Sequence, residues 1–439
     1  MGRLRRWWFE LVVIRTFLSL TIATLIALSW AQSFQITVVT QLRHVPCNAC
    51  VSHRIVAKLI EVQRATQYES YFMKAVSVFN NKGGVGKTTL LFHLAHALSE
   101  IGKKVLMIDL DPQCNLSMHA LTEEQLHGCW QVEDPFIDDF AFARSQATEE
   151  QLSQICRDFR TAHFMLKPAE DGVDDLANFG VPVELTKNLH LVPGRLTLHM
   201  FEEKLSVRWS EIYRGDPLAI RTVTKIREIA DLLTRDFGYD YVLFDTSPSL
   251  GALNKVIIST SDGILVPCAP DMFSLYGLQN IGRSLASWKQ EFDTVFRLIS
   301  KEKRSRFPEH FVQLLGYTIV NAKRFTGGGN PMNLAKAHYH YAQQIPTVIE
   351  KHIATENRKL LTGDALSGPL GGLSIMHSYN TFPSMAQKYR APMWRVPDQD
   401  LDTEDRGTIL ANRAKYEETG NSYREFARYF VSRIEGLPV

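Results

Sequence analysis

Three short apolar runs punctuate the chain, and each breaks into a polar or acidic cluster. Ala75-Val76-Ser77-Val78-Phe79 gives way to Asn80-Asn81-Lys82. Val105-Leu106-Met107-Ile108 ends in Asp109-Leu110-Asp111-Pro112-Gln113, and Tyr241-Val242-Leu243-Phe244 ends in Asp245-Thr246-Ser247-Pro248-Ser249. Short apolar runs bounded in this way predict buried strands. After Lys87 the period changes: Leu91, Leu94, Ala95 and Leu98 fall on one helical face, with His93 and His96 beside that stripe as packing or surface residues. A last helix is predicted from Asn421. Tyr423, Phe426, Ala427, Phe430 and Ile434 share one face, and Arg424, Arg428 and Arg433 lie off it. Aromatics at this spacing predict a helix that closes a sheet, not one that lies on a membrane. The stretch 121–180 is acidic and rich in helix formers and predicts a helical insertion. Residues 363–385, rich in Gly, Ser and Pro, predict a loop, and Pro392–Pro397 a last short strand. The fold class expected is α/β: a doubly wound, mostly parallel sheet with helical insertions.

The first run, the glycine-rich stretch after it and the helix from Lys87 stand in the order a phosphate loop requires. Gly83, Gly84 and Gly86 let backbone N–H groups turn inward around phosphate oxygens. Lys87 supplies charge for the β/γ-phosphates, and the Thr88 hydroxyl is a Mg²⁺ ligand. The strict G-x4-G-K-[ST] pattern fails at its first position, which is Asn81. Asp109 or Asp111 on one run and Asp245 on another add carboxylates at strand ends, where a doubly wound sheet places its ligand chemistry. Together they point to Mg²⁺–nucleotide hydrolysis, one Asp holding the metal through a water and another positioning the attacking water.

Lys82-Gly83-Gly84-Val85-Gly86-Lys87-Thr88-Thr89 resembles the deviant Walker A motif of the ParA/MinD ATPase family, and the chain is most similar to its ParA-type partition proteins. Asp109–Gln113 resembles the family's second motif, and Phe244–Gly251 its Walker B and second switch. Asn188–Gly194, Val266–Leu278 and Gly316–Asn321 are similar to flanking family segments. The resemblance implies P-loop NTPase topology with ATP and Mg²⁺ as cofactors. It implies that Gly83 to Thr89, Val85 included, cradle the phosphates, and that Lys82 reaches across an ATP-bridged homodimer. Asp111 would orient the hydrolytic water, and Asp109 would support the magnesium shell and the first switch. Thr88 and Asp245 would hold the metal, and Pro270 and Asn321 would flank the adenine. Cys114 departs from the pattern by standing where ParA proteins commonly have glycine.

Charge then narrows the partners. The whole chain is +2, but residues 1–72 carry eight Lys/Arg against three Asp/Glu, which leaves the body slightly acidic. A generally basic nucleic-acid binder is excluded, so DNA contact needs a local patch. Lys301–Arg306 and Lys323-Arg324, beside Gly327-Gly328-Gly329, are the candidates. Arg3, Arg5 and Arg6 precede an apolar stretch, Phe17 to Trp30, which reads in isolation as a signal or anchor that would export the rest of the chain. That conflicts with an ATP site. The reading adopted is that residues 1–72 are upstream sequence from a misplaced start and that a cytoplasmic domain, nucleoid-associated if it binds DNA, begins at Met73. Membrane anchoring is the alternative. His44-x2-Cys47-x2-Cys50-x2-His53 has metal-like spacing, yet its ligands are too crowded for the usual two separated pairs. The remaining cysteines are scattered, as in a reducing compartment.

The domain expected over 73–439 carries extra sequence near 119–187 and 324–391. Its expected role is an ATP-dependent dimerising switch that positions DNA or other cargo, slow alone and stimulated by a partner protein. The alternative is the same ATPase working through protein partners without DNA. A membrane-anchored tyrosine kinase lacks its terminal tyrosine cluster, since Tyr416, Tyr423 and Tyr429 are dispersed. An iron–sulfur reductase lacks a second cysteine to accompany Cys268.

Overall fold

The computed structural model describes residues 73–176, 179–325 and 329–437. The N-terminal extension with its His44–His53 stretch, and Gly327 and Gly328, lie outside the described residues. Seven strands form one sheet: β1 (Lys74–Val78), β2 (Val105–Asp109), β3 (Val183–Thr186), β4 (Leu189–Val192), β5 (Tyr241–Asp245), β6 (Gly263–Cys268) and β7 (Gln313–Ile319). Their spatial order is β3-β4-β2-β5-β1-β6-β7. Every neighbouring pair is parallel except β3 with β4.

The unbroken apolar runs follow from burial on both faces. Ala75 and Phe79, Leu106 and Ile108, and Val242 and Phe244 point into one core, beneath helices Pro217–Phe237, Ala252–Ser259 and Met272–Leu298. Their neighbours Val76, Val78, Val105, Met107, Tyr241 and Leu243 point into the other, with helices Lys87–Glu100 and Arg413–Ile434. Successive strand residues alternate faces, so strands covered on both sides must be apolar throughout. In-register pairing of β2 with β5 sets Asp109 directly beside Asp245. This is the doubly wound α/β fold, and its two acidic strand ends meet at one edge.

The insertion after β2 is helical, as expected: Glu123–Asp138, Phe140–Gln146, Glu149–Ile155 and Ala162–Asp171. Thr122 with Gln125 and Thr148 with Gln151 each form a complete capping box, which starts two of these helices at defined residues. Phe136, Phe140 and Phe164 close a small satellite core.

Three expectations near the C-terminus are corrected. Pro392–Pro397 is not a strand; Met393–Asp398 forms a 3₁₀ turn, because its two prolines cannot donate to a ladder. The loop over 363–385 contains the short helix Asp364–Ser367 and gives way to another, Phe382–Lys388. The last helix begins at Arg413, not Asn421. Gly420 hid the earlier turns, since glycine disfavours helix interiors. Packing requires it: a Cβ there would lie 2.8 Å from Trp394 Cγ. The aromatic face of this helix is buried, including Tyr423, Phe426 and Phe430. No helix among the described residues is long and apolar enough to cross a membrane.

Candidate functional site

The chain leaves β1 at Phe79, and buried Asn80 fixes its path. Asn80 Nδ2 donates to Pro267 O at 2.7 Å, and its Oδ1 accepts from Lys82 N–H at 3.0 Å. Gly84 and Gly86 then take left-handed backbone with φ of 71° and 80°, a conformation that costs a side-chain-bearing residue about 1–2 kcal/mol. A Cβ at Gly83 or Gly84 would meet nothing within 4 Å, so both glycines face open space. Gly86 caps the helix Lys87–Glu100 without a side-chain hydrogen bond. The N–H groups of its first turn are therefore left to a ligand, and the helix dipole favours an anion there.

Lys87 folds back over the loop, its Nζ donating to Asn80 O at 3.3 Å and Lys82 O at 3.5 Å. Burial lowers its pKa, opposed by the charges of Asp245 and Asp111. Thr88 Oγ1 donates to Asp245 Oδ2 at 2.9 Å. Asp245 is fully buried, and its pKa stands well above the ordinary carboxylate value, chiefly through burial and then through Asp109. Its other oxygen, Oδ1, has no hydrogen-bond partner.

Asp109 is engaged differently. Oδ2 accepts from Ser117 Oγ at 2.6 Å and Ser117 N at 2.8 Å, while Oδ1 accepts from Asp111 N at 3.2 Å. Burial raises its pKa to about 6 against these hydrogen bonds. Asp111 accepts from Gln113 N at 3.0 Å and lines the cavity beside the loop. Cys114, three residues on, has φ 53°. The glycine common at this position in the resembling family suits that left-handed turn, which cysteine adopts under strain.

The cavity in front of the loop measures about 430 Å³ and is lined by Gly83, Gly84, Gly86, Lys87, Thr88, Thr89 and Asp111. Val85 is buried and does not line the cavity. The sequence reading missed the remaining walls: Gln113, Asn115 and His119 after β2, Pro248 after β5, and Pro383, Ser384 and Gln387 from the C-terminal third. His119 is buried, its Nε2 has no partner, and burial lowers its pKa to about 4. Asn115 and His119 sit one helical turn apart, a spacing legible in the sequence. Nothing local marks Ser384 or Gln387.

Lys82 does not line this cavity. It forms an ion pair with Asp271 of its own chain, its Nζ 5.8 Å from the Phe273 ring centroid. Burial alone would raise the Asp271 pKa, but hydrogen bonds from Lys82 and Ser274 hold it below the ordinary value. Met272, Phe273 and Tyr276 are exposed beside this pair. Pro270 is buried at the end of β6. Asn321, left-handed at φ 57° after β7, brings its Nδ2 to 3.5 Å from a Cβ position on Gly86.

Among the described residues no three His, Cys, Asp or Glu side chains converge to hold a metal ion. The donor set nevertheless fits Mg²⁺, which keeps several waters and needs only one or two protein oxygens beside a substrate's phosphates. The Thr88 hydroxyl and the orphaned, buried Asp245 Oδ1 are such oxygens.

A family model described as AAA domain (AAA_31) matches residues 73–298. The chain is similar to the chromosome partitioning protein ParA of Caulobacter vibrioides, with 27% identity over 48% of this chain and 62% of that one. An uncharacterized Mycobacterium tuberculosis protein is 31% identical over 47% of this chain and 49% of its own length. The chain thus spans between about half and two thirds of the length of most of the curated relatives it matches, and 81% of one from Thermus thermophilus. Among solved structures, a Corynebacterium diphtheriae protein is similar at 25% identity and a TM-score of 0.50, over 66% of this chain and 90% of that one. With the phosphate loop, the paired strand-end carboxylates and a family model covering just over half its length, the chain belongs to the AAA domain family (AAA_31), as a ParA/MinD-type ATPase.

Proposed function

We propose that the protein is an ATP-dependent dimerising switch of the ParA type, hydrolysing ATP to position cargo. The observation that carries this reading is the coexistence of a Lys87-based phosphate cradle with a second lysine, Lys82, held outside the cavity among exposed apolar residues. A partly exposed cation near the Phe273 ring, with Met272 and Tyr276 exposed on the same helix, suits a surface that a second copy covers.

The N–H groups of residues 83–89 bind the phosphate oxygens, and Lys87 neutralises their charge. Thr88 and Asp245 would hold Mg²⁺, which would supply positive charge against the phosphates. Asp111 orients the attacking water. Asp109, with both oxygens engaged by protein donors, acts by fixing the Asp111 loop and not as a metal ligand. Pro270 and Asn321 bound the base. Lys82 leaves Asp271 and meets the γ-phosphate held by the second subunit.

The relative named as a chromosome partitioning protein supports DNA as cargo. One observation favours a protein-directed switch instead. Lys303 Nζ donates to Gly215 O at 2.6 Å and Arg304 Nε to Ile299 O at 3.0 Å, so two cations of the basic run are engaged by backbone carbonyls of this chain.

The test is sedimentation of the full chain carrying Asp111→Ala, with ATP and with ADP, followed by DNA binding across a salt series. A dimer that forms only with ATP, and disappears with Lys82→Ala added, is expected. Steeply salt-dependent DNA binding by that dimer supports DNA as cargo. A dimer that ignores DNA at low salt supports the protein-directed form, and a chain that stays monomeric with ATP refutes the switch.

A further inference from the structure

A second cavity lies away from the phosphate loop. It opens to about 640 Å³ between helices Glu123–Asp138, Phe140–Gln146 and Glu149–Ile155. Its apolar walls are Pro135, Phe136, Phe142, Ala143, Ala147 and Ile155, and Phe142 is 63% exposed.

The rim is anionic. Residues 121–158 contain nine Asp/Glu and two Lys/Arg. Of the two cations, Arg144 is occupied, donating to Asp174 O at 2.8 Å. Asp138 borders the cavity, and Glu149 and Glu150 start the helix along its far side. These three carboxylates are exposed and form no ion pair among the described residues. Nucleic acid and anionic membrane are disfavoured by this sign of charge.

We propose that this groove docks a basic amphipathic helix of a partner protein. Its apolar side chains fill the recess against Phe142, and its Lys/Arg residues meet Asp138, Glu149 and Glu150. Helix-in-groove recognition needs an apolar trough of this kind, and complementary charge at the rim sets orientation and on-rate.

The floor of the groove is connected to the catalytic edge. On the same helix as Pro135 and Phe136, buried Glu133 accepts from Thr161 N at 2.7 Å and Arg195 Nη1 at 3.3 Å, and Trp130 Nε1 donates to Gly194 O at 3.2 Å. Gly194 N donates to Ser117 Oγ at 2.7 Å, and Ser117 in turn holds Asp109. Assigning the groove to the stimulating partner rests on the switch proposed above, whereas docking itself requires no nucleotide.

The experiment measures fluorescence anisotropy of a labelled Leu/Lys amphipathic helical peptide with the full chain, without nucleotide. A peptide of the same composition in scrambled order and a Leu/Glu helix serve as controls. The Leu/Lys helix is expected to bind, and both controls to bind far more weakly. Phe142→Ser and the double reversal Glu149→Lys/Glu150→Lys should each weaken binding about tenfold or more. Both variants sit on exposed positions and should keep the wild-type circular dichroism and basal ATP hydrolysis. The proposal is overturned if the peptide does not bind, if the Leu/Glu helix binds equally, or if neither variant weakens binding. Nucleotide-free self-association that Phe142→Ser abolishes would also overturn it, because the occupant would then be a second copy. If wild type hydrolyses no ATP while peptide binding behaves as expected, the ATPase reading fails and the docking groove stands.

Discussion

Ser117→Ala tests whether the carboxylate edge is held together as described. The Ser117 hydroxyl donates to Asp109 Oδ2 at 2.6 Å and accepts from Gly194 N at 2.7 Å, both in buried surroundings. Alanine keeps the backbone bond from Ser117 N to Asp109 and removes both hydroxyl bonds. Losing a hydrogen bond to an ionised carboxylate costs about 1.5–3 kcal/mol, and leaving a buried N–H unsatisfied about 1–3 kcal/mol. The space is tight, since a Cβ on Gly194 would lie 3.0 Å from Asp109 Cγ, so relaxation should be small. The expected destabilisation is about 3 kcal/mol at pH 8.

The pH dependence is the sharper test. Burial raises the Asp109 pKa to about 6, while Ser117 pulls it down. A carboxyl with a raised folded pKa contributes stability that is full below its unfolded pKa and is lost as pH rises through about 6. Without the hydroxyl the folded pKa moves higher still, and the loss extends to higher pH. The difference between variant and wild type should therefore grow from about 1–2 kcal/mol at about pH 5, where Asp109 is mostly neutral, toward the larger value at about pH 8. Urea unfolding of both proteins at the two pH values measures it. Equal differences at both pH values, or a difference below about 1 kcal/mol at pH 8, would refute the reasoning.

Gly86→Ala forces a side chain into φ 80°, and by calorimetry should weaken ATP binding while lowering stability by about 1–2 kcal/mol. Lys87→Ala removes the buried cation between Asp245 and Asp111 and should cost about 1.5–3 kcal/mol of ATP affinity, so thermal stabilisation by Mg²⁺–ATP should largely vanish in a melting assay. Gly420→Ala drives a methyl to within 2.8 Å of Trp394 Cγ and should destabilise by about 1–3 kcal/mol in denaturant unfolding, with the ATP affinity of the folded protein unchanged.

What could be read before folding was local. The glycine loop is a run of contiguous residues whose backbone geometry depends on glycine at Gly84 and Gly86. Buried parallel strands must be apolar on both faces, so β1, β2 and β5 announce themselves without a partner. Asp109 and Asp245 were legible as strand-end carboxylates, but register places them side by side, and register is a property of the assembled sheet. The helical insertion was visible in its composition. The apolar cavity was not, because it depends on how three short helices close around Phe142. Gly420 interrupted a helical pattern, and only the approach of Trp394 explains its presence. Ser384 and Gln387 reach the phosphate cavity from nearly three hundred residues along the chain. Lys82 was recognisable by its place in a motif, but its ion pair with Asp271 arises because β6 packs beside β1. Short-range chemistry repeats along a chain and can be read from it, whereas contacts between distant segments exist only once the sheet has brought them together.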